Sequence, residues 1–303
     1  MSAKCPALAD PAHTEWSLCP STPAAILFTV LFALTTVVHL SQAIYYKKIY
    51  CWVIVGSAFA QTINYICRII SIKHPNTLSP YAAWFVIILA STDYAMCSAN
   101  PMANSTQIAP LFTNAFVYMV MGRMVWNYIP NAKLYRVTAW RFSTYFVVFD
   151  IFALLIQVIG ASSSGASRQA NQKVLNAIHI YMGGIAVQQF FIVVFFFFAI
   201  KFHRIILEQV RQGVHGVSSV LPLLYAVYAV LLLITTRIIF RLIEYSHGFK
   251  SNIPDHEAYQ YALDSVPMLF ALVILNFIHP GRIMPGKESD LPSRKERRAE
   301  GLL

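Results

Sequence analysis

Charge is the scarcest property of this 303-residue chain: Asp, Glu, Lys and Arg make up 12% of it, against 57% hydrophobic residues. A soluble globular protein carries about 25% charged residues. A deficit spread over the whole length excludes a surface that faces water on all sides. The mean hydropathy of +0.56 agrees. Cysteine is sparse too, and none of Cys5, Cys19, Cys51, Cys67 and Cys97 forms a Cys-x-x-Cys pair. That speaks against a zinc knuckle or a redox dithiol. Cys51, Cys67 and Cys97 lie in or beside apolar runs and read as packing residues. Cys5 and Cys19 share the N-terminal segment, where an extracellular setting permits a disulfide. No Walker A motif is present, so the chain encodes no ATP drive of its own. The histidines show no pair at i+3 or i+4, so no helix-borne metal site is expected. A Gly-x-Ser-x-Gly elbow is also missing. The chain therefore reads as a non-enzyme without a cofactor.

What the sequence has in abundance is long apolar runs. A spanning helix needs about 20 mostly apolar residues. Runs at 24–43, 51–70, 143–160, 181–200, 220–243 and 260–279 meet that length. A longer region, 81–123, holds two apolar halves, 81–97 and 108–122, separated by the polar stretch 98–107. The expected architecture is all-α, a polytopic bundle of seven transmembrane helices, with eight as the alternative count. Residues 1–23 form an N-terminal segment that lacks the apolar core of a cleavable signal, so run 24–43 reads as a signal anchor. Residues 24–281 form the membrane domain, and 282–303 a basic tail expected to be disordered.

The formal net charge is +10. No basic run is interleaved with an RNA-binding motif, so no nucleic acid partner is expected. With seven helices and the N-terminus outside, 15 basic residues fall in inner segments and 5 in outer ones. This is the positive-inside bias. Eight helices with the N-terminus inside score the same, so charge assigns only the C-terminus to the cytoplasm. The cluster Arg294, Lys295, Arg297 and Arg298 reads as a solvated or headgroup-facing tail.

Ionisable groups inside spans cost several kcal/mol unless they are paired or face a cavity. Asn64 and Arg68 share a helix face, and Arg68 either snorkels to the outer interface or joins a buried polar site. Asp150 and Gln157 are seven apart and point one way. Gln188 and Gln189 follow Gly183 and Gly184, where small residues allow close helix contact. Arg237, Arg241 and Glu244 form a stripe at i, i+4, i+7. Glu257, Tyr261 and Asp264 repeat that spacing on the next helix, followed by Asn276. A short outer loop makes these two helices antiparallel neighbours, so Asp264 and Glu257 are the expected partners of Arg237 and Arg241. The run Phe190, Phe191 and Phe195 to Phe198 covers all sides of its helix and reads as lipid-facing packing.

In this order, these stripes resemble the fungal RTA1-like family, also described as lipid-translocating exporters. The matching pieces are Asn64-Tyr65-x-x-Arg68; Ala109-Pro110 with Ala115, Tyr118-Met119 and Gly122-Arg123; Asp150 with Gln157 and Gly160; and Gly184 with Gln188. The densest block is Arg237-x-x-Phe240-Arg241-x-x-Glu244, Gly248, Glu257, Tyr261, Asp264 and His279-Pro280-Gly281. The resemblance covers roughly 24–282. It implies a seven-helix bundle with an outer N-terminus, in the plasma membrane or another cellular membrane such as the vacuole. It also implies export or flipping of toxic amphiphiles and sphingoid long-chain bases. The partners would then be membrane lipids and cationic amphiphilic small molecules. Arg68, Asp150, Gln157, Gln188, Arg237, Arg241, Glu244, Glu257, Tyr261, Asp264 and Asn276 would line the path, and the carboxylates would bind the amine. A heptahelical receptor or sensor is the competing expectation, because fold does not give function. Residues 91–109 depart from the family pattern and read as extra sequence, either a lineage-specific insertion or a retained short intron. They hold the sole sequon, at Asn104.

Overall fold

A computed structural model describes residues 20–73, 108–165, 171–246, 257–286, 288–292 and 294–299. The expectations for 1–19, for the apolar half 81–97 and for most of 91–109 lie outside the described residues, as do Cys5, Cys19 and Cys97. Seven long helices make up the body: α1 (Thr22–Tyr46), α2 (Cys51–Lys73), α3 (Ile108–Tyr128), α4 (Ala139–Gly165), α5 (Asn171–Arg211), α6 (Leu221–Ser246) and α7. The last of these comprises Glu257–Gln260, a π-helical turn Tyr261–Ser265, and Val266–Phe277. A two-stranded hairpin, β1 (Lys133–Leu134) and β2 (Val137–Thr138), joins α3 to α4. Two short helices, α8 (Pro280–Ile283) and α9 (Arg294–Ala299), follow α7.

Each helix packs against its neighbours in sequence, and α7 returns to α1, closing a ring. Among the described residues six helices are long and apolar enough to cross a membrane; α3 is not one of these six. Among the described residues α3 covers the second apolar half, from residue 108, and it carries polar groups that a lipid-facing helix would not. Its burial explains this. Phe116, Val117, Tyr118, Val120, Met121, Met124 and Val125 are all fully buried. A helix enclosed by protein needs no lipid-compatible face, so it can carry Thr113, Asn114 and Arg123. The helices around it expose Leu27, Val37, Phe152, Leu155, Phe190, Phe197 and Leu232 instead, the surface expected of a protein whose solvent is lipid. The phenylalanine run of α5 divides accordingly. Phe190 and Phe197 face out, while Phe195 is fully buried against Phe142, Phe146 and Tyr118. Cys51 and Cys67 are buried free thiols.

Close contact between helices is built on two glycines. A Cβ on Gly122 would lie 2.3 Å from Ser143 Oγ, and one on Gly184 would lie 2.9 Å from the Ala153 carbonyl oxygen. Together they bring α4 against α3 and α5. In α7 the ring of Pro267 has no amide hydrogen and clashes with the carbonyl four residues back. The backbone widens into the π turn immediately before it, and this places Asp264 and Ser265 on the buried face.

Candidate functional site

The polar residues gather at the two ends of the bundle and along a seam between α3, α4 and α5.

At one end, α2, α6 and α7 converge on the N-terminus of α1. Asp264 accepts from Arg237 Nε through Oδ1 and from Arg241 Nη2 through Oδ2, the latter at 2.8 Å. Arg241 also donates to Glu244 at 3.1 Å, one turn along its own helix. Arg68 Nη2 meets Glu257 at 2.8 Å, and Arg68 Nη1 donates to Gln260 at 3.1 Å. Glu257 further accepts the backbone N–H of Ser21 at 2.7 Å, which ties α1 in. Tyr65 donates to Ser265. Below them Phe28, Phe32, Tyr65 and Tyr261 stack at centroid distances of 5.0–6.3 Å. The Arg68 guanidinium sits 5.1 Å from the Tyr261 ring. Three guanidiniums thus meet three carboxylates in two adjacent groups, Arg68 with Glu257, and Arg237 and Arg241 with Asp264 and Glu244.

Half of the expected pairing holds. Asp264 takes both arginines of α6, and Glu257 turns instead to Arg68 of α2. The spacing misled because Glu257 and Asp264 do not share a regular helical face: the π turn lies between them. Arg68 does not snorkel; it is 8% exposed and its charge is paired.

At the opposite end, the segment after α7 folds back under the bundle. Lys48 donates to the Gly286 carbonyl and to Ser289 Oγ, the latter at 2.7 Å, and pairs with Asp290 at 3.2 Å. Asn127 Nδ2 donates to the Ser289 carbonyl at 3.0 Å. The Arg123 guanidinium lies 3.8 Å from the Tyr50 ring centroid and 3.9 Å from Asp290. Burial holds the Tyr50 hydroxyl above its ordinary pKa range, so its ring stays a neutral platform for the cation. Tyr46 stacks on His279 at 4.8 Å, and Gly281 is pressed against Tyr46. The first part of the supposedly disordered tail is therefore docked, because Lys48 and Asn127 satisfy its polar groups. Sequence reasoning missed this second cluster. Its signal was a lysine beside a tight turn, with Lys47 in the left-handed region at φ 52°.

The seam lies between the two ends. Asp150 is 1% exposed and accepts from Asn114 Nδ2 at 2.9 Å and from the Tyr118 hydroxyl at 3.2 Å. Gln157 Nε2 donates to Gln188 Oε1 at 3.1 Å. Asp150 and Gln157 both point inward but meet different helices. Asn276 stands apart, near the other end of α7, where its backbone carbonyl accepts from Gln42 Nε2 at 2.8 Å. Asn114 was not foreseen; its signal was a polar residue one turn before Tyr118 in an otherwise apolar stretch. Among the described residues no cluster of His, Cys, Asp and Glu could hold a metal ion.

A ring of seven helices with exposed apolar faces and paired charges inside defines an integral, polytopic membrane protein. Residues 102–287 match the family model described as RTA1 like protein, and the chain belongs to that family. It is 36% identical over 288 residues to a protein of Emericella nidulans named Probable lipid transporter atnI, covering 90% of this chain and 70% of that one. It is 26% identical to Protoporphyrin uptake protein 1 of Saccharomyces cerevisiae, over 84% of this chain and 88% of that protein. It is 24% identical to the sphingoid long-chain base transporter RSB1 of the same yeast, over 61% of this chain and 56% of that protein. No solved structure matches it significantly.

Proposed function

We propose that this protein is a translocator of lipids or toxic amphiphiles, with sphingoid long-chain bases as the model substrate. The observation that carries the reading is the pair of polar clasps at opposite ends of one apolar bundle. One clasp is the arginine–carboxylate network of α2, α6 and α7. The other is the Lys48–Ser289–Asp290 cluster with Arg123. A bundle that opens its two ends in turn needs a separable contact at each. Polar contacts suit that role, because each group can exchange its partner for water. The names of relatives, a lipid transporter and a sphingoid base transporter, agree. The charge pattern supports a cytoplasmic C-terminus, and a count of seven helices would then leave the N-terminus, and the arginine contacts beside it, at the outer end. The plasma membrane is the proposed site of action, and the role is transport without catalysis.

Because three of the four carboxylates are already paired with arginines, they serve the clasp, not the cargo. The path would run past Gln157, Gln188, Tyr261 and Asn276, between the ends.

The test is movement of a fluorescent sphingoid base in proteoliposomes. Wild-type protein is expected to move the lipid faster than empty liposomes do. Glu257→Gln, which weakens one pair at the outer clasp, is expected to change the rate while the protein stays folded. Asp264 is a poor control here: it holds two arginines, and breaking a buried ion pair costs about 3–5 kcal/mol. Folded wild-type protein that moves no lipid above the blank would overturn the reading.

A further inference from the structure

Ser143, Asp150 and Gln157 recur at seven-residue intervals on α4, and all three are buried. Seven residues advance an α-helix by about 10.5 Å. The seam therefore runs about 21 Å through a hydrocarbon layer of about 30 Å. Each member finds its partner on another helix. Ser143 donates to the Tyr118 carbonyl at 2.9 Å, Asp150 accepts from Asn114 and Tyr118, and Gln157 bonds Gln188. Next in sequence to Asn114, the Thr113 hydroxyl meets Ser57 of α2 at 2.7 Å, a separate polar contact.

Three acceptors of the seam are left over. Asp150 Oδ1, Asn114 Oδ1 and Gln157 Oε1 are buried without a partner. Both groups that donate to Asp150 are neutral, and both bind the same oxygen, Oδ2. Among the described residues no basic side chain pairs with Asp150, whereas Asp264, Glu244 and Glu257 each hold an arginine. The titratable group that faces Asp150 from α3 is Tyr118. On α5 the wall is Phe195, 4.7 Å from the Tyr118 ring. Phe146 of α4 covers Tyr118 at 5.3 Å. A carboxylate so placed calls for a cation. A metal ion takes four or more ligands, and the leftover oxygens around one carboxylate are too few. Asn114, at 2% exposure, and Asp150 are too enclosed for an amine that carries an alkyl chain. A proton needs one oxygen.

We propose that Asp150 is a proton-binding site, loaded and emptied along the α4 seam, and that its occupancy is coupled to lipid movement. The proton adds to Oδ1 as an O–H bond and leaves to water as hydronium; no electrons change hands. The coupling rests on the translocator reading, while the site itself does not.

Infrared difference spectra of the reconstituted protein across a pH series test the site directly. A carbonyl band from a protonated carboxyl, shifted in deuterium oxide, is expected in wild type and is expected to vanish in Asp150→Asn. Asparagine keeps the size and an acceptor oxygen, and an unchanged thermal midpoint checks the fold. Tyr118→Phe removes one donor to Oδ2, is expected to shift the same band, and serves if the Asn variant fails to fold. Sphingoid base movement is then measured with and without an imposed pH gradient. A several-fold acceleration by the gradient in wild type, absent in Asp150→Asn, supports the coupling. A wild-type spectrum with no such band, a band unchanged in both variants, or a rate indifferent to the gradient overturns the proposal. An Asp150-dependent band in a protein that moves no lipid supports the site and sinks the translocator reading alone.

Discussion

Gly184 shows how much a single hydrogen atom in place of a methyl decides. A Cβ there would meet Gln157 Cγ at 2.6 Å and two backbone atoms of α4 at 2.9 Å. Its neighbour Gly183 has nothing within 4 Å of the same position. Gly184→Ala is therefore expected to force α4 and α5 apart, at a cost of about 1–3 kcal/mol. Gly183→Ala is expected to be neutral or to gain up to about 1 kcal/mol from helix propensity. Thermal midpoints of the two purified variants check this. The first should fall by several degrees, at about 2–4 °C per kcal/mol. Equal midpoints would mean that α4 and α5 do not pack as described. The sequence pair Gly-Gly announced close contact but not which member makes it, because that depends on helix rotation. Residue-level legibility was otherwise best for charge. Arg237, Arg241, Asp264 and Glu257 stood out because a charge in an apolar run has few affordable explanations. The partners of Glu257 were misassigned because helix spacing says nothing of a third helix arriving from elsewhere in the chain, here α2 with Arg68.

At the level of elements, α7 is the helix whose form departs most from its pattern. The i, i+4, i+7 spacing of Glu257, Tyr261 and Asp264 describes an α-helix, and the structure inserts a π turn over Tyr261–Ser265. The cause, Pro267, was visible; its effect was not, since proline can also end or kink a helix. Pro267→Ala is expected to let this stretch relax to an α-helix, which rotates Glu257 about the axis by about 100°. The contact between Glu257 and the N-terminus of α1 would then be lost. Cysteines introduced as Ser21→Cys and Glu257→Cys report it. Disulfide cross-linking should be efficient with Pro267 present and several-fold weaker in Pro267→Ala. Undiminished cross-linking would show that the π turn has another origin. Helix ends were the least legible feature of the elements. The window 181–200 found the apolar part of α5, yet the helix runs over 171–211, because Lys201, Arg204 and Arg211 continue it beyond the apolar stretch.

On the scale of the whole molecule, apolar runs gave a count of seven or eight helices, and the closure of the described seven into a ring with α7 beside α1 could not be read from them. That closure rests on contacts spanning most of the chain, such as His39 Nε2 with the Leu272 carbonyl at 3.2 Å and Gln42 with Asn276. The cluster at the opposite end is equally long-range, joining Lys48 to Ser289 and Asp290. Lys48→Met removes the ammonium that holds the segment after α7. Trypsin is then expected to cleave in the 287–298 region several-fold faster than in wild type, and only from the cytoplasmic side of sealed vesicles. Cleavage from the other side would reverse the proposed orientation, and an unchanged rate would deny the clasp. The arginine–carboxylate cluster has a consequence of a different kind. Its three guanidiniums balance three carboxylates, so a displacement of the whole group would carry no net charge. The membrane potential does work of about 2.3 kcal/mol per elementary charge per 100 mV, and on a neutral cluster that work is close to zero. Under the proposed orientation, opening of the outer end is expected to be blind to voltage, which leaves an electrogenic step to the cargo or to Asp150.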